Sequence, residues 1–154
     1  MENRRIVVAF DIHGTLLRFP GLFKKVYKDG GTFQRITHLM CNSSLLVFLF
    51  TVILSKNKTM VRKMADLYES GNFKVILLTD SYKSSEKILF FILKKIKRIY
   101  CFHEIICRDN TCESDLDCKV RLIEKHKVQF LFDDRTDILK AVMDRTDCLI
   151  GLID

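Results

Sequence analysis

The amino-acid sequence predicts a three-layer α/β domain in which helices cover both faces of a parallel five-stranded sheet. Short apolar runs alternate along the 154 residues with stretches that repeat apolar residues at helical spacing. Three of the apolar runs end abruptly on polar residues, as buried parallel strands do at the edge of a sheet. A single proline and a hydrophobic share of 48% exclude a proline-rich linker and wholesale disorder. We therefore expect one domain over 1–154, with Rossmann-like right-handed crossovers.

The apolar runs and the helical repeats place the elements along the chain. Strands are predicted at 6–10, 74–79, 102–107, 128–132 and 148–153. Helices are predicted at 58–70, 84–99, 115–126 and 136–144. Gly71 and Asn72 supply the stop signal expected after the first of these helices.

Residues 18–58 follow the first strand and are predicted to form a small cap or flap insertion. Within them lies the apolar stretch 45–54, bounded by Leu45 and Leu54. This stretch is shorter than the ~20 residues of a membrane-crossing helix. It is interpreted as a buried helix, as the contact face of a homo-oligomer, or at most as an interfacial anchor.

The charge pattern bounds the partners and the location. A formal net charge of +7 favours phosphate-bearing ligands, nucleic acid or an anionic membrane surface, although a solvated lysine-rich face explains it equally well. Residues 1–5 are charged and lead directly into the first strand, so no cleavable signal is expected and a cytoplasmic location follows.

Polar side chains follow three of the predicted strands. Asp11 ends the first strand, Thr79 ends the second, and Asp133 and Asp134 end the fourth. If the first strand lies between the other two, these groups converge at one edge of the sheet, where ligands bind in such folds. Each residue also has a structural interpretation, since aspartates commonly cap turns and helices. Their ordered occurrence favours a phosphate or metal site.

The ordered motifs resemble those of the haloacid dehalogenase-like superfamily, most of whose members are magnesium-dependent phosphohydrolases. Residues 10–16 are similar to its first motif and residues 75–79 to its second. Lys119 stands where the third-motif lysine is expected, and residues 132–135 are similar to the fourth motif. The stretch 130–139 is also similar to the phosphatase domains of polynucleotide kinase-phosphatases. The resemblance therefore implies a phosphorylated small molecule or a nucleic-acid end as substrate.

The resemblance assigns a role to each motif residue. Asp11 is expected to attack phosphorus and form an aspartyl-phosphate, which water then hydrolyses. Mg²⁺ is expected between Asp11 and the pair Asp133 and Asp134, because this ion prefers oxygen ligands. Thr79 is expected to donate its hydroxyl to the phosphate, and Lys119 to compensate charge.

His13 departs from the superfamily pattern, which usually places an acid/base aspartate two residues after the nucleophile. The family binds its metal at this position through the main-chain carbonyl, so His13 remains a predicted metal ligand. Imidazole can also act as an acid or base near neutral pH, although a nearby Mg²⁺ disfavours its protonated form. Two functions remain open: an active phosphatase, and a catalytically impaired protein that binds phosphate or nucleic acid.

Overall fold

The computed structural model describes residues 5–18, 44–109 and 114–153. Its strands are β1 (Ile6–Asp11), β2 (Leu17–Arg18), β3 (Ser55–Lys56), β4 (Phe73–Tyr82), β5 (Glu104–Arg108), β6 (Phe130–Asp133) and β7 (Leu149–Leu152). Its α-helices are α1 (Ser44–Ile53), α2 (Lys58–Glu69), α3 (Glu86–Phe91), α4 (Asp115–Lys125) and α5 (Thr136–Arg145).

A parallel five-stranded sheet in the order β5-β4-β1-β6-β7 forms the centre of the described structure. Val8 of β1 lies opposite Val75 of β4 on one side and Phe130 of β6 on the other. The predicted α/β fold is confirmed. This strand order brings the ends of β1, β4 and β6 next to one another, as the convergence of the polar motifs requires.

Helices cover both faces of the sheet because successive strand residues point to opposite sides. Phe10 and Leu77 face α1, α2 and α3, and they belong to one buried apolar cluster. Ala9 and Ile76 face α4 and α5, and they belong to a second cluster. Burial on both faces explains why β1 and β4 are continuous apolar runs.

The end of β4 and the helix after it differ from the prediction. β4 continues past Thr79 to Tyr82 through an irregularity in its pairing with β5. The predicted helix 84–99 is divided into a 3₁₀ turn (Lys83–Ser85), α3 and a π-helical turn (Ile92–Ile96). The helix stops early because the Lys97 N–H bonds to the Ile92 carbonyl and Arg98 adopts a left-handed φ of 54°.

The predicted insertion 18–58 is closed at its base by β2 and β3, which pair in antiparallel fashion. Asn57 strengthens this closure, since its side-chain amide donates to the Thr15 carbonyl at 3.0 Å and its carbonyl oxygen caps α2. The apolar stretch 45–54 forms most of α1, which is buried on one side only. Residues 19–43 lie outside the described residues. None of the described helices is long and apolar enough to cross a membrane.

Candidate active site

Three carboxylates meet at the carboxyl ends of β1 and β6. Asp11 is the last residue of β1, Asp133 is the last residue of β6, and Asp134 follows it. One carboxylate oxygen from each lies within 4.8 Å of the others. Asp11 and Asp133 are buried, at 6% and 0% exposure. The structure thus brings together the three acids that the sequence proposed as metal ligands.

Lys119 supplies a positive charge beside Asp11 and Asp133. It projects from α4 and is 1% exposed. Its Nζ lies 2.6 Å from Asp11 Oδ1, 3.0 Å from Asp133 Oδ2 and 4.0 Å from Asp80 Oδ1. A lysine is rarely buried unless it is paired, so these carboxylates account for its position.

Burial and charge act in opposite directions on the two paired groups. Burial raises the pKa of Asp11 well above its usual value, Lys119 opposes this rise, and the neighbouring carboxylates add to it. Burial disfavours the charge on Lys119, yet Asp11, Asp133 and Asp80 keep its pKa well above the usual value. Lys119 is therefore a permanent cation that opposes the charge of the acids.

Asp133 and Asp134 differ in how their oxygens are satisfied. Asp133 Oδ1 accepts the Arg135 backbone N–H at 2.9 Å, and Asp133 Oδ2 faces Lys119. Asp134 Oδ1 is buried and has no hydrogen-bond donor within the described part of the chain. Burial, followed by the charge of Asp133, raises the pKa of Asp134 to about 6. Asp133 Oδ2 also forms no hydrogen bond among the described residues, but it lies 3.0 Å from the Lys119 ammonium. Asp134 is therefore the member of the pair whose buried oxygen faces neither a donor nor a paired cation in the described part of the chain.

Gly14 allows the loop after β1 to approach Asp134. Its φ of +101° is unfavourable for residues with a side chain. A Cβ at this position would lie 2.2 Å from Asp134 Oδ2 and 2.3 Å from Asp134 Oδ1. The position therefore requires glycine for two reasons, the backbone conformation and the contact with the carboxylate.

Thr79 lies beside Asp11 at the same edge of the sheet. Asp11 is paired with Leu78 in the register of β1 and β4, and Thr79 is the next residue. The Thr79 hydroxyl oxygen is buried and accepts the Ser81 backbone N–H at 3.2 Å. Because that oxygen acts as an acceptor, its hydrogen remains available to a ligand oxygen.

His13 contacts α1. Its Nε2 lies 3.1 Å from the hydroxyl of Thr51, and that hydroxyl donates its only hydrogen to the Val47 carbonyl at 2.6 Å. Thr51 must therefore accept, so Nε2 of His13 donates and carries the proton. Burial lowers the pKa of His13 to about 4, against the opposing charge of Asp80, so its imidazole is neutral at pH 7.

Three polar residues around the site received no role from the sequence. Asp80 faces Lys119 and lies 3.7 Å from Arg135 Nη1, and Arg135 also pairs with Asp137 at 2.7 Å. Asp80 directly follows the predicted strand 74–79, which was the available signal. Thr51 lies within an apolar helix, where no local pattern distinguishes a residue that contacts the site.

Comparisons with known proteins identify the fold. No protein-family model matches the sequence, and no curated protein matches it. A chain in the structure of the Pnkp1/Rnl/Hen1 RNA repair complex is similar at a TM-score of 0.69 and 17% identity, over 99% of this chain and 43% of that one. The chain thus spans less than half the length of that neighbour.

Two smaller protein chains are also similar to this chain in structure. Phosphoserine phosphatase in its apo form is similar at a TM-score of 0.52 and 9% identity, over 94% of this chain and 84% of that one. The HAD domain of the Legionella pneumophila effector Lem4, an inactive mutant, is similar at a TM-score of 0.52 and 11% identity, over 97% of this chain and 84% of that one. The chain therefore has a haloacid dehalogenase-like fold, as its motifs predicted.

Proposed function

We propose that the protein is a magnesium-dependent phosphohydrolase that acts through an aspartyl-phosphate on Asp11. The observation that carries this proposal is the convergence of Asp11, Asp133 and Asp134, the first two of which are paired with the buried ammonium of Lys119. Phosphoryl transfer requires a positioned nucleophile and positive charge near the phosphate oxygens. The fold, which is shared with phosphatases, is compatible with this chemistry.

The donor set fits a magnesium ion. Mg²⁺ prefers carboxylate and carbonyl oxygens, and the cluster offers one carboxylate oxygen from each of three acids. Asp134 Oδ1 is buried and has no hydrogen-bond donor among the described residues. Because buried polar atoms are usually satisfied by a partner, this oxygen is suited to binding a cation. Asp11, Asp134 and the main-chain carbonyl of His13 would hold the ion, with Asp133 beside them. When bound, Mg²⁺ would neutralise charge between the carboxylates and a phosphate.

The residues themselves carry the transfer. Asp11 attacks phosphorus as the bond to the leaving oxygen breaks, and the Thr79 hydroxyl donates to a phosphate oxygen. Lys119 holds the Asp11 carboxylate and stays charged throughout. Water then attacks the aspartyl-phosphate, which releases phosphate and restores Asp11.

The state of His13 determines how protons move. A neutral imidazole can accept a proton from the attacking water, but it is a poor donor to the leaving group at pH 7. The leaving oxygen then takes its proton from solvent. We therefore expect the rate to depend steeply on the acidity of the leaving group, with aryl phosphates hydrolysed faster than alkyl phosphates.

His13 also favours the second candidate function, a phosphate-binding or nucleic-acid-binding protein with little turnover. General acid catalysis contributes about 10²–10⁴-fold in many enzymes, so its loss is enough to separate the two functions. His13→Asp distinguishes them, because it restores a carboxylate at the position where the superfamily usually has one.

The substrate class follows from the phosphate chemistry and from the RNA repair neighbour. A phosphorylated small molecule or a nucleic-acid end fits an Asp11-centred site. The similarity to a chain of an RNA repair complex makes an oligonucleotide with a terminal phosphate the first substrate to test.

The direct test measures phosphate release with and without Mg²⁺. The substrates are p-nitrophenyl phosphate, an alkyl phosphate and an oligonucleotide with a terminal phosphate. The parent should require Mg²⁺, Asp11→Asn should lose activity, and Asp144→Asn on the exposed side of α5 should retain it. Unchanged activity in Asp11→Asn would rule out Asp11 as the nucleophile. An inert parent with an active His13→Asp variant would establish the binding protein instead.

A further inference from the structure

One face of α1 presents an apolar ridge to solvent. Leu45, Leu49 and Ile53 are spaced four residues apart, so they lie on the same side of the helix. Their exposures are 65%, 53% and 61%, whereas Val47 and Thr51 on the other side are buried. Protruding aliphatic side chains at helical spacing are unusual on a free surface and typical of a contact surface.

The elements packed against α1 also carry exposed apolar side chains. The 3₁₀ turn, α3 and the π-helical turn all contact α1. Lys97 ties the π-helical turn to the end of α1, because its Nζ donates to the Val52 carbonyl at 2.7 Å. These elements add three exposed apolar side chains, those of Phe90, Phe91 and Ile96. Together with the ridge, they make up six of the twelve large apolar residues exposed in the described structure, so this region is enriched in them.

Positive charge is concentrated in the same elements. Residues 44–56 and 83–98 contain seven basic residues and one acidic residue, Glu86. The basic residues are Lys56, Lys83, Lys87, Lys94, Lys95, Lys97 and Arg98. The Lys97 ammonium is already bonded to carbonyls at the end of α1. We call the six exposed apolar side chains, together with the other six basic residues, the ridge surface. Its sign of charge requires a negatively charged partner.

The combination of exposed apolar side chains and positive charge distinguishes between candidate partners of the ridge surface. A second copy of the chain would bring two basic surfaces together, which disfavours a homodimer through this face. Nucleic acid would satisfy the lysines, but it offers stacking for aromatic rings and little to bury three protruding aliphatic side chains. An anionic bilayer offers headgroup charge to the lysines and an acyl boundary to the leucines and isoleucines.

We propose that the ridge surface docks the protein on an anionic lipid bilayer, with α1 lying in the plane of the interface. The ridge lies on the side of α1 opposite Thr51, the residue that contacts His13, so the proposal uses other side chains than the proposed phosphohydrolase chemistry. It does not depend on that function.

Vesicle sedimentation of the full chain tests the proposal. One set of vesicles is phosphatidylcholine alone, and the other contains about 30% phosphatidylserine. The protein should sediment with the anionic vesicles at about 0.1 M salt and be largely released at about 0.5 M, because salt screens the lysine contacts. Failure to sediment with anionic vesicles would overturn the proposal.

Variants separate the apolar contribution from the charge. The double variant Leu49→Gln, Ile53→Gln should weaken vesicle binding by about tenfold or more, since two side chains lose apolar burial. Lys95→Glu should weaken it as well. Met143→Gln and Lys140→Glu on α5 are matched controls, because one changes an exposed apolar residue and the other an exposed lysine.

The remaining outcomes decide between partners. Thermal unfolding of each variant verifies that the fold is kept, which is expected because the altered side chains are exposed. Binding that is equal for the ridge and control variants would overturn the proposal. Two further results would overturn the proposal if the protein also fails to bind vesicles. One is a concentration-dependent dimer that requires Leu49 and Ile53, and the other is binding of single-stranded RNA that requires the same residues.

Discussion

Gly14→Ala is expected to damage the proposed metal site more than the fold. The new Cβ would lie 2.2 Å from Asp134 Oδ2, whereas ordinary contacts begin near 3.4 Å, so the carboxylate must withdraw by about 1 Å. Magnesium tolerates little change, because its oxygen ligands lie within narrow limits at ~2.0–2.1 Å. We expect the affinity for Mg²⁺ to fall about tenfold to a hundredfold, the range found when groups that support metal ligands are changed.

Gly71→Ala is the matched control for the backbone. Gly71 also has a positive φ, of 72°, but its Cβ would meet no atom within 4 Å. Both variants should lose about 1–2 kcal/mol of unfolding free energy from the left-handed backbone. Calorimetric titration with Mg²⁺ and urea unfolding separate the two effects. Equal Mg²⁺ affinity in Gly14→Ala and Gly71→Ala would refute the assignment of Asp134 as a ligand.

Three further predictions concern buried polar groups. Lys119→Met should lower the unfolding free energy measured in urea by about 3–5 kcal/mol, because buried carboxylates lose their cation, whereas the exposed Lys125→Met should change it little. Thr51→Val should shift the protonated nitrogen of His13, seen by nitrogen NMR, and slow phosphate release roughly tenfold, whereas Thr51→Ser should retain both. Burial raises the pKa of Cys107 to about 12. Above pH ~9 the unfolded chain releases the Cys107 proton, whereas the folded protein keeps it. The free energy of unfolding should therefore fall by up to ~1.4 kcal/mol per pH unit between pH ~9 and pH 12. The fall should be less steep in Cys107→Ala.

The central sheet could be predicted because parallel strands carry a strong local signal. β1 and β4 are buried on both faces, so their apolar runs are continuous and their ends are marked by polar residues. The two-residue strands β2 and β3 lack any such periodicity. Their pairing depends on Asn57 and on contacts between residues about forty positions apart. The π-helical turn was missed because a shift from fourth-residue to fifth-residue bonding leaves the helical repeat almost unchanged.

The proximity of the candidate site residues was predictable from the pattern that predicted the sheet, whereas their roles stay predictions. Asp11, Asp133 and Asp134 end or follow strands, and Lys119 stands in a motif, so the strand order was enough to bring them together. The partner of His13 was not predictable. Thr51 is one polar residue in an apolar helix, and only the packing of α1 brings it to the imidazole.

The charge balance of the candidate site would link the proposed binding of a metal ion to that of phosphate. Asp11, Asp133 and Asp134 bring three carboxylates together, and Asp80 adds a fourth at 4.0 Å from the ammonium of Lys119, the one cation paired with Asp11 and Asp133. A phosphate would bring further negative charge into a buried region, where repulsion is weakly screened. The raised pKa values of Asp11 and Asp134 reflect burial first and this excess of negative charge after it. A divalent cation removes most of this excess, so phosphate should bind more tightly when the cation is bound. By linkage, the cation should then bind more tightly in the presence of phosphate.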